Sequence, residues 1–290
     1  MGFLNFRRVL LLALLLGGMS ACKKKSTSLK SPPGYDFEKV ATFKLELKIK
    51  EISGLVWDPV KNVFITHIDE SGKLFYLNRD TKKIVGEFRF ADKGDFEDIA
   101  LVGETPYVLE SNGKLFKVIE DTTTKTLTGI EQGKLEIDGK VDFETMYYDS
   151  ARHALVMICK NCDIDNKATV SAFAYYLDST GFDNKPLYTI DASKVEKMAP
   201  KETSKLQPSA ARIQPNLKKL FIISSAANLL VVADLNGVVE SVHWLKPKIF
   251  PQPEGLAFNK SGDMYIANEG VTSNATILLF TAHGDARREK

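Results

Sequence analysis

The sequence predicts an all-β protein, a β-propeller of five four-stranded blades. Three observations lead there. From Phe43 onward the chain is a succession of short runs of Val, Ile, Phe, Tyr and Leu broken by Ser-Gly and Asn-Gly type turns, with no long 3.6-period stretch. A recognisable unit returns about every 45 residues, the size of a propeller blade. One strand ahead of the first unit matches the strand that the last unit lacks.

Taken in order, the units open at Ile52-Ser53-Gly54-Leu55, Phe96-Glu97-Asp98-Ile99, Phe143-Glu144-Thr145-Met146, Pro208-Ser209-Ala210-Ala211 and Pro253-Glu254-Gly255-Leu256. Second strands follow at Val63–His67, Tyr107–Leu109, Leu155–Ile158, Leu220–Ile223 and Met264–Ala267, and third strands at Leu74–Leu77, Leu115–Val118 and Leu229–Ala233. The spacings between openings are 44, 47, 65 and 45 residues. The long interval is too short for two blades, so it predicts one blade with an insertion near 163–204, most of the excess falling in 182–204. The same region holds the clearest helix candidate, Asp191 to Met198. The fifth unit ends after three strands near Phe280. The orphan strand, 41–49, alternates like the outer strand Gly86–Phe90 and is expected to complete blade five, closing the ring and covering an edge. A six-bladed ring is the runner-up; a β-sandwich fits a sustained period near 45 poorly.

Ahead of this single propeller domain, 39–290, lie two segments of another kind. Residues 1–21 run from basic (Arg7, Arg8) through apolar (Val9 to Leu16) to small, the order of an export signal. Met19-Ser20-Ala21-Cys22 resembles the lipobox of bacterial lipoproteins, which implies acylation of Cys22 and a stable membrane anchor. Residues 22–38 are lysine-rich with three breakers, an expected flexible tether. No Asp follows Cys22, and by lipoprotein sorting rules this favours the outer membrane of a bacterial envelope, with the periplasmic or surface face left open. The whole chain carries 39 basic and 37 acidic residues; without Arg7 and Arg8 the two balance. A neutral mature chain argues against a nucleic-acid partner. A monomer is expected.

The innermost strand of each blade lines the channel, so the opening residues Ser53, Glu97, Glu144, Ser209 and Glu254 should gather at one mouth. Three carboxylates converging on an axis repel unless a cation or proton sits among them. Oxygen ligands at that density suit Ca²⁺, which takes about six to eight. Asp69, Glu110 and Glu269 follow the second strands and are expected on the same rim. Each acid taken alone is more ordinarily a solvated turn residue. Cys159 and Cys162 bracket two residues, a spacing open to a small structural disulfide, to free thiols or to active chemistry. The four histidines (His67, His153, His243, His283) show no zinc-ligand spacing, and there is no Gly-rich phosphate loop or nucleophile elbow.

The segments Ile52–Asp58, Asp95–Ala100 and Pro251–Phe258, in their order and number, resemble the SdiA-regulated (YjiK-like) family of bacterial envelope β-propellers, distantly NHL-repeat-like. The resemblance implies a five-bladed propeller with bound calcium and no settled activity. The serines at 53 and 209 and the cysteine pair depart from a uniform acidic pattern. The expected function is that of a calcium-binding, non-enzymatic envelope protein that takes a protein or small-molecule ligand at the propeller mouth. The alternative is a calcium-dependent phosphoesterase (phytase-like) or lactonase-like hydrolase using the channel metal, with Glu110, Glu269 or His67 as base. Such an enzyme should cluster Lys or Arg near the acids, and Lys73, Lys114 and Lys160 are scattered.

Overall fold

The computed structural model describes residues 31–200, 202–270 and 272–288; the predicted signal segment and Cys22 lie outside the described residues. Five antiparallel sheets follow one another along the chain, built mainly by hairpins between consecutive strands, the fifth being completed by the N-terminal strand Ala41–Lys44. This is the five-bladed propeller. Blade one comprises Ile52–Asp58, Val63–Ile68, Ser71–Asn78 and Ile84–Arg89. The other inner strands are Phe96–Val102, Phe143–Asp149, Ala210–Gln214 and Pro253–Phe258. No helix among the described residues is long and apolar enough to cross a membrane.

Apolar residues cover both faces of most strands because each blade packs against two neighbours. Blade three's second strand, Ala154–Cys159, is buried at every position. The core is accordingly five separate layers between blades. Phe221, Leu230, Ile266 and Phe280, for example, pack blade four on blade five, and Ile65, Leu74, Phe96 and Val108 pack blade one on blade two. Each fully buried side chain of this kind is worth about 1.5–3 kcal/mol.

Three of the turns leaving inner strands use one device. Asp58 Oδ1 accepts from the Val60 and Lys61 amides, Asp149 Oδ1 from those of Ala151 and Arg152, and Gln214 Oε1 from those of Asn216 and Leu217. Each turn then ends in a left-handed residue, Asn62, His153 and Lys218.

Ring closure takes the expected form over a shorter span. Ala41–Lys44 pairs antiparallel with blade five's last strand, Ala41 opposite Leu279 and Lys44 opposite Thr276. The predicted strand to residue 49 stops there, because the chain leaves the edge and Leu47–Ile49 forms a 3-10 turn that drives Ile49 into the core between blades one and five. The buried Lys82 reinforces this seam: its Nζ stands 4.4 Å from the Phe43 ring centre, 5.0 Å from Phe64 and 5.3 Å from Tyr265.

Two boundaries move. Tyr35 and Phe37, expected in the tether, are buried: Tyr35 Oη donates to the Gly262 carbonyl at 2.6 Å, and Phe37 packs on Phe250 and Phe280. Two aromatic side chains with an apolar seam to fill outweigh the Pro-Pro-Gly break before them. In blade three, Tyr188–Asp191 belongs to the outer edge, pairing with Thr169–Ala172, so that part of 182–204 is blade rather than insertion. The expected helix follows as Ala192–Met198, capped by Asp191, whose side chain accepts from the Lys194 amide, and buries Ala192 and Val195 between blades three and four.

Candidate functional site: two mouths of one channel

The entry to each inner strand has the same three-residue pattern: a polar residue, a buried apolar residue, and the opening residue. The copies are Glu51-Ile52-Ser53, Asp95-Phe96-Glu97, Asp142-Phe143-Glu144, Gln207-Pro208-Ser209 and Gln252-Pro253-Glu254. In three copies the opening residue is the extra residue of a β-bulge. Pairing steps from Phe96 to Asp98, from Phe143 to Thr145 and from Pro253 to Gly255, leaving Glu97, Glu144 and Glu254 outside the ladder. A bulge re-aims the side chain it carries. The two serines stitch blades instead: Ser53 Oγ donates to the Glu97 carbonyl and Ser209 Oγ to that of Pro253, each at 2.8 Å.

The three glutamates meet around Lys160, which sequence reading left among scattered cations. Its ammonium donates to Glu144 Oε1 and acts electrostatically on both Glu97 and Glu254. Lys160 is held there because Cys159 and Cys162 are joined as a disulfide and the amides of Lys160 and Asn161 both donate to the Asp142 carbonyl. Burial, and then repulsion from Asp95, push the Glu97 carboxyl up to about 8, against the pull of Lys160. Burial likewise brings Glu254 to about 7, opposed by Lys160 and by the hydroxyls of Ser225 and Ser209. Glu144, Lys160, Gln207, Ser209, Gln252 and Glu254 line a cavity of about 300 Å³.

The other three predicted acids divide. Glu269 accepts from Gln252 Nε2, and burial together with repulsion from Asp69 and Glu51 raises its pKa, so Glu269 and Asp69 share this rim. Glu110 is turned aside, accepting from Asn112 Nδ2 at 3.1 Å with Lys114 Nζ at 3.9 Å. Among the described residues, no three His, Cys, Asp or Glu side chains stand close enough together to hold a metal ion by themselves. His67 is not at the rim. Burial, then repulsion by Arg212, lowers its pKa to about 4 and keeps it neutral.

Below the acids the channel is plugged. Arg212, from blade four's inner strand, forms an ion pair with Asp98 of blade two, Nη2 to Oδ1 at 2.7 Å and Nη1 to Oδ2 at 3.0 Å. It also donates to the carbonyls of Leu55, Ile99, Met146 and Ala211, so one guanidinium ties four blades. Asp98 accepts in addition from the Met146 amide at 2.8 Å. Gly54 makes room for this: a Cβ on it would stand 2.8 Å from His67 Nε2 and 3.0 Å from Asp98 Oδ1, and its φ of +61° suits glycine. Sequence reading missed Arg212 entirely, since Ala-Ala-Arg-Ile reads as an ordinary edge. Asp95 and Asp142 were legible in the repeated Asp-Phe-Glu and were not singled out as site residues.

The far ends of the same five inner strands frame a second, mainly apolar cavity of about 290 Å³, reached by Trp57, Leu101, Tyr148, Ile213 and Phe258 from the five blades.

The profile of the SdiA-regulated family matches residues 32–271, which takes in blades one to four and every strand of blade five except Thr276–Phe280. The chain belongs to that family. No curated protein sequence matches it. Among solved structures the fold is similar to glutaminyl cyclase from Myxococcus xanthus (13% identity, TM-score 0.54, covering 84% of this chain and 96% of that one). It is also similar to a gluconolactonase from Xanthomonas campestris (10%, 0.54, 87% and 95%) and to a luciferin-regenerating enzyme (11%, 0.52, 85% and 96%). At these identities the likeness is one of fold. SdiA-regulated membership and the propeller thus stand together, and the activities named for the neighbours remain theirs.

Proposed function

We propose that this SdiA-regulated protein is a non-enzymatic binding propeller of the bacterial envelope, held at the membrane by lipid on Cys22, whose acidic mouth takes Ca²⁺ and with it a protein or small-molecule ligand. The observation that supports the mouth as the site is the set of three bulges that aim Glu97, Glu144 and Glu254 at one ammonium. One positive charge stands among three half-buried carboxyls, and burial, with repulsion from neighbouring acids, drives two of them toward protonation. The donor chemistry fits a hard cation: carboxylates with the side-chain oxygens of Gln207, Ser209 and Gln252 beside them. Glu97, Glu254 and Glu144 would hold the ion, and Glu144 must first release Lys160. Bound Ca²⁺ would supply a fixed positive charge with open positions for ligand oxygens.

The test is thermal unfolding of the protein, at pH 8.5, with Ca²⁺ and with chelator. A site filled to about a hundred times its Kd stabilises by about 2.7 kcal/mol, a rise of several degrees. No rise at millimolar Ca²⁺ overturns the calcium reading. A hydrolase remains the second reading because Glu269 stands on the same rim beside the three glutamates that would hold the metal, half-buried and with its carboxyl raised by burial, a placement suited to a general base. Calcium-dependent turnover of generic phosphoesters or lactones, lost in Glu144→Gln, would establish it in place of the binder.

A further inference from the structure

The geometry points to a second binding site at the opposite mouth, for a small amphipathic anion: a monocarboxylate with a flat or branched apolar body. Nothing in the calcium reading uses this end of the channel. The cavity there is on the propeller axis, because all five inner strands line it and its inner wall includes Arg212, the residue that joins four blades. Its volume, about 290 Å³, is near the lower end of the range for small-molecule pockets.

The walls are of two chemistries. Trp57, Tyr148, Ile213 and Phe258 give the apolar surface; Trp57 already packs on Phe64, 5.0 Å between ring centres, and turns its remaining surface to the cavity. The charged residues lining it are both cationic, Lys260 exposed at the rim and Arg212 within, and no Asp or Glu lines it. Arg212 is only 11% exposed, and its Nε–H is the guanidinium donor left without a partner among the described residues. Asp98 neutralises that guanidinium and its Nε–H is sealed from solvent, so the net attraction for an anion comes from Lys260 at the rim, over a floor to which Arg212 brings no net negative charge. A neutral apolar ligand would fill the walls and leave both cations unused; a cation would be repelled. An apolar body with one carboxylate fills the walls and pairs its charge with Lys260.

Trp57 makes the site observable. The chain has two tryptophans, and the other, Trp244, ends the outer strand Val239–Trp244 of blade four. Two indole N–H signals are therefore expected from ¹⁵N-labelled protein, assigned with Trp244→Phe. Phenylacetate is titrated in the presence of chelator, so the acidic mouth stays out of the readout and failure here is separable from failure of the calcium reading. The expected result is a saturable shift of the Trp57 signal alone, at low-millimolar concentration as befits about ten heavy atoms. The uncharged analogue 2-phenylethanol should bind at least about fivefold more weakly, and the exposed Lys260→Glu should weaken phenylacetate by about three- to tenfold without changing the alcohol. A Trp57 signal unmoved at about 10 mM, an alcohol that binds as well as the acid, or a Lys260→Glu variant that binds phenylacetate unchanged would each overturn the proposal.

Discussion

The two mouths of the channel are the two ends of the same five strands, yet one is acidic and crowded with polar side chains while the other is largely apolar. The difference begins in pairing register. At the openings, three bulges take Glu97, Glu144 and Glu254 out of the ladder and turn them toward Lys160. At the far ends the ladder stays regular, from Ile99 opposite Val108 to Val102 opposite Thr105 for instance, and alternation leaves Trp57, Leu101, Tyr148 and Phe258 at the mouth. A repeat can thus carry two chemistries if one end of its strands is allowed to slip by a residue. What separates them is the Arg212–Asp98 plug.

Removing the plug should have the largest effect. Arg212→Met leaves Asp98 buried without its counter-charge, a loss of about 3–5 kcal/mol in urea unfolding. Arg212→Met with Asp98→Leu should recover part of that, because no charge is then stranded. If the single variant costs under about 1 kcal/mol, the plug does not organise the channel and the two mouths are not independent.

The next effect sharpens the contrast, since only the acidic mouth titrates strongly near neutrality. Glu97 and Glu254 bind protons more tightly in the folded protein, at about 8 and about 7, than in the unfolded chain, near 4.3. Their contribution to stability is therefore fully present below about 4.3 and lost as pH rises through 7 and 8. Without calcium, stability should fall by about 1–3 kcal/mol from pH 5 to pH 8.5, and Glu97→Gln should flatten the profile. Calcium should act in the opposite sense, stabilising at pH 8.5 and not at pH 5, because it binds only ionised carboxylates. Calorimetry across that range, with Ca²⁺ or chelator, checks both slopes; parallel profiles for the wild type and Glu97→Gln would show that the mouth does not titrate as a unit.

How much of this the sequence discloses depends on distance along the chain. The blades are legible because most hairpins are local: apart from the closing strand Ala41–Lys44 and the edge strand Tyr188–Asp191, strands pair with their neighbours in sequence, and a period near 45 survives one insertion. Glu97, Glu144 and Glu254 are legible because equivalent repeat positions share an axis. Glu110 obeys the same spacing yet turns to Asn112 and Lys114, since a side chain's rotamer is set by local partners that no period records. Arg212 and Lys82 were invisible for a different reason. Each is a single residue whose partners come from several blades, so no repeat announces it. Tyr35 and Phe37 show the reverse error, where a turn-rich sequence hid two core residues.

The smallest expected effect concerns the part of the acidic mouth that has no counterpart at the other end: a cation on a covalent leash. The disulfide closes a loop of four residues, too short to add much by restricting the unfolded chain. Its consequence is positional, since the bonded loop and the Asp142 carbonyl together set Lys160 against Glu144. Lys160→Met should therefore raise the Glu97 and Glu254 pKa values further, because the ammonium that lowers both is gone. At pH 8.5 it should tighten Ca²⁺ by about three- to tenfold, since the ion no longer competes with a tethered charge. Reducing the disulfide in the wild type should move affinity the same way but less, as a slack loop lets Lys160 leave without removing it. Calcium titration of the oxidised, reduced and Lys160→Met proteins orders the three. A variant that binds Ca²⁺ more weakly than the wild type would mean that Lys160 serves the ligand rather than competing with it, and the mouth would then be a site for an anion bridged between ammonium and metal.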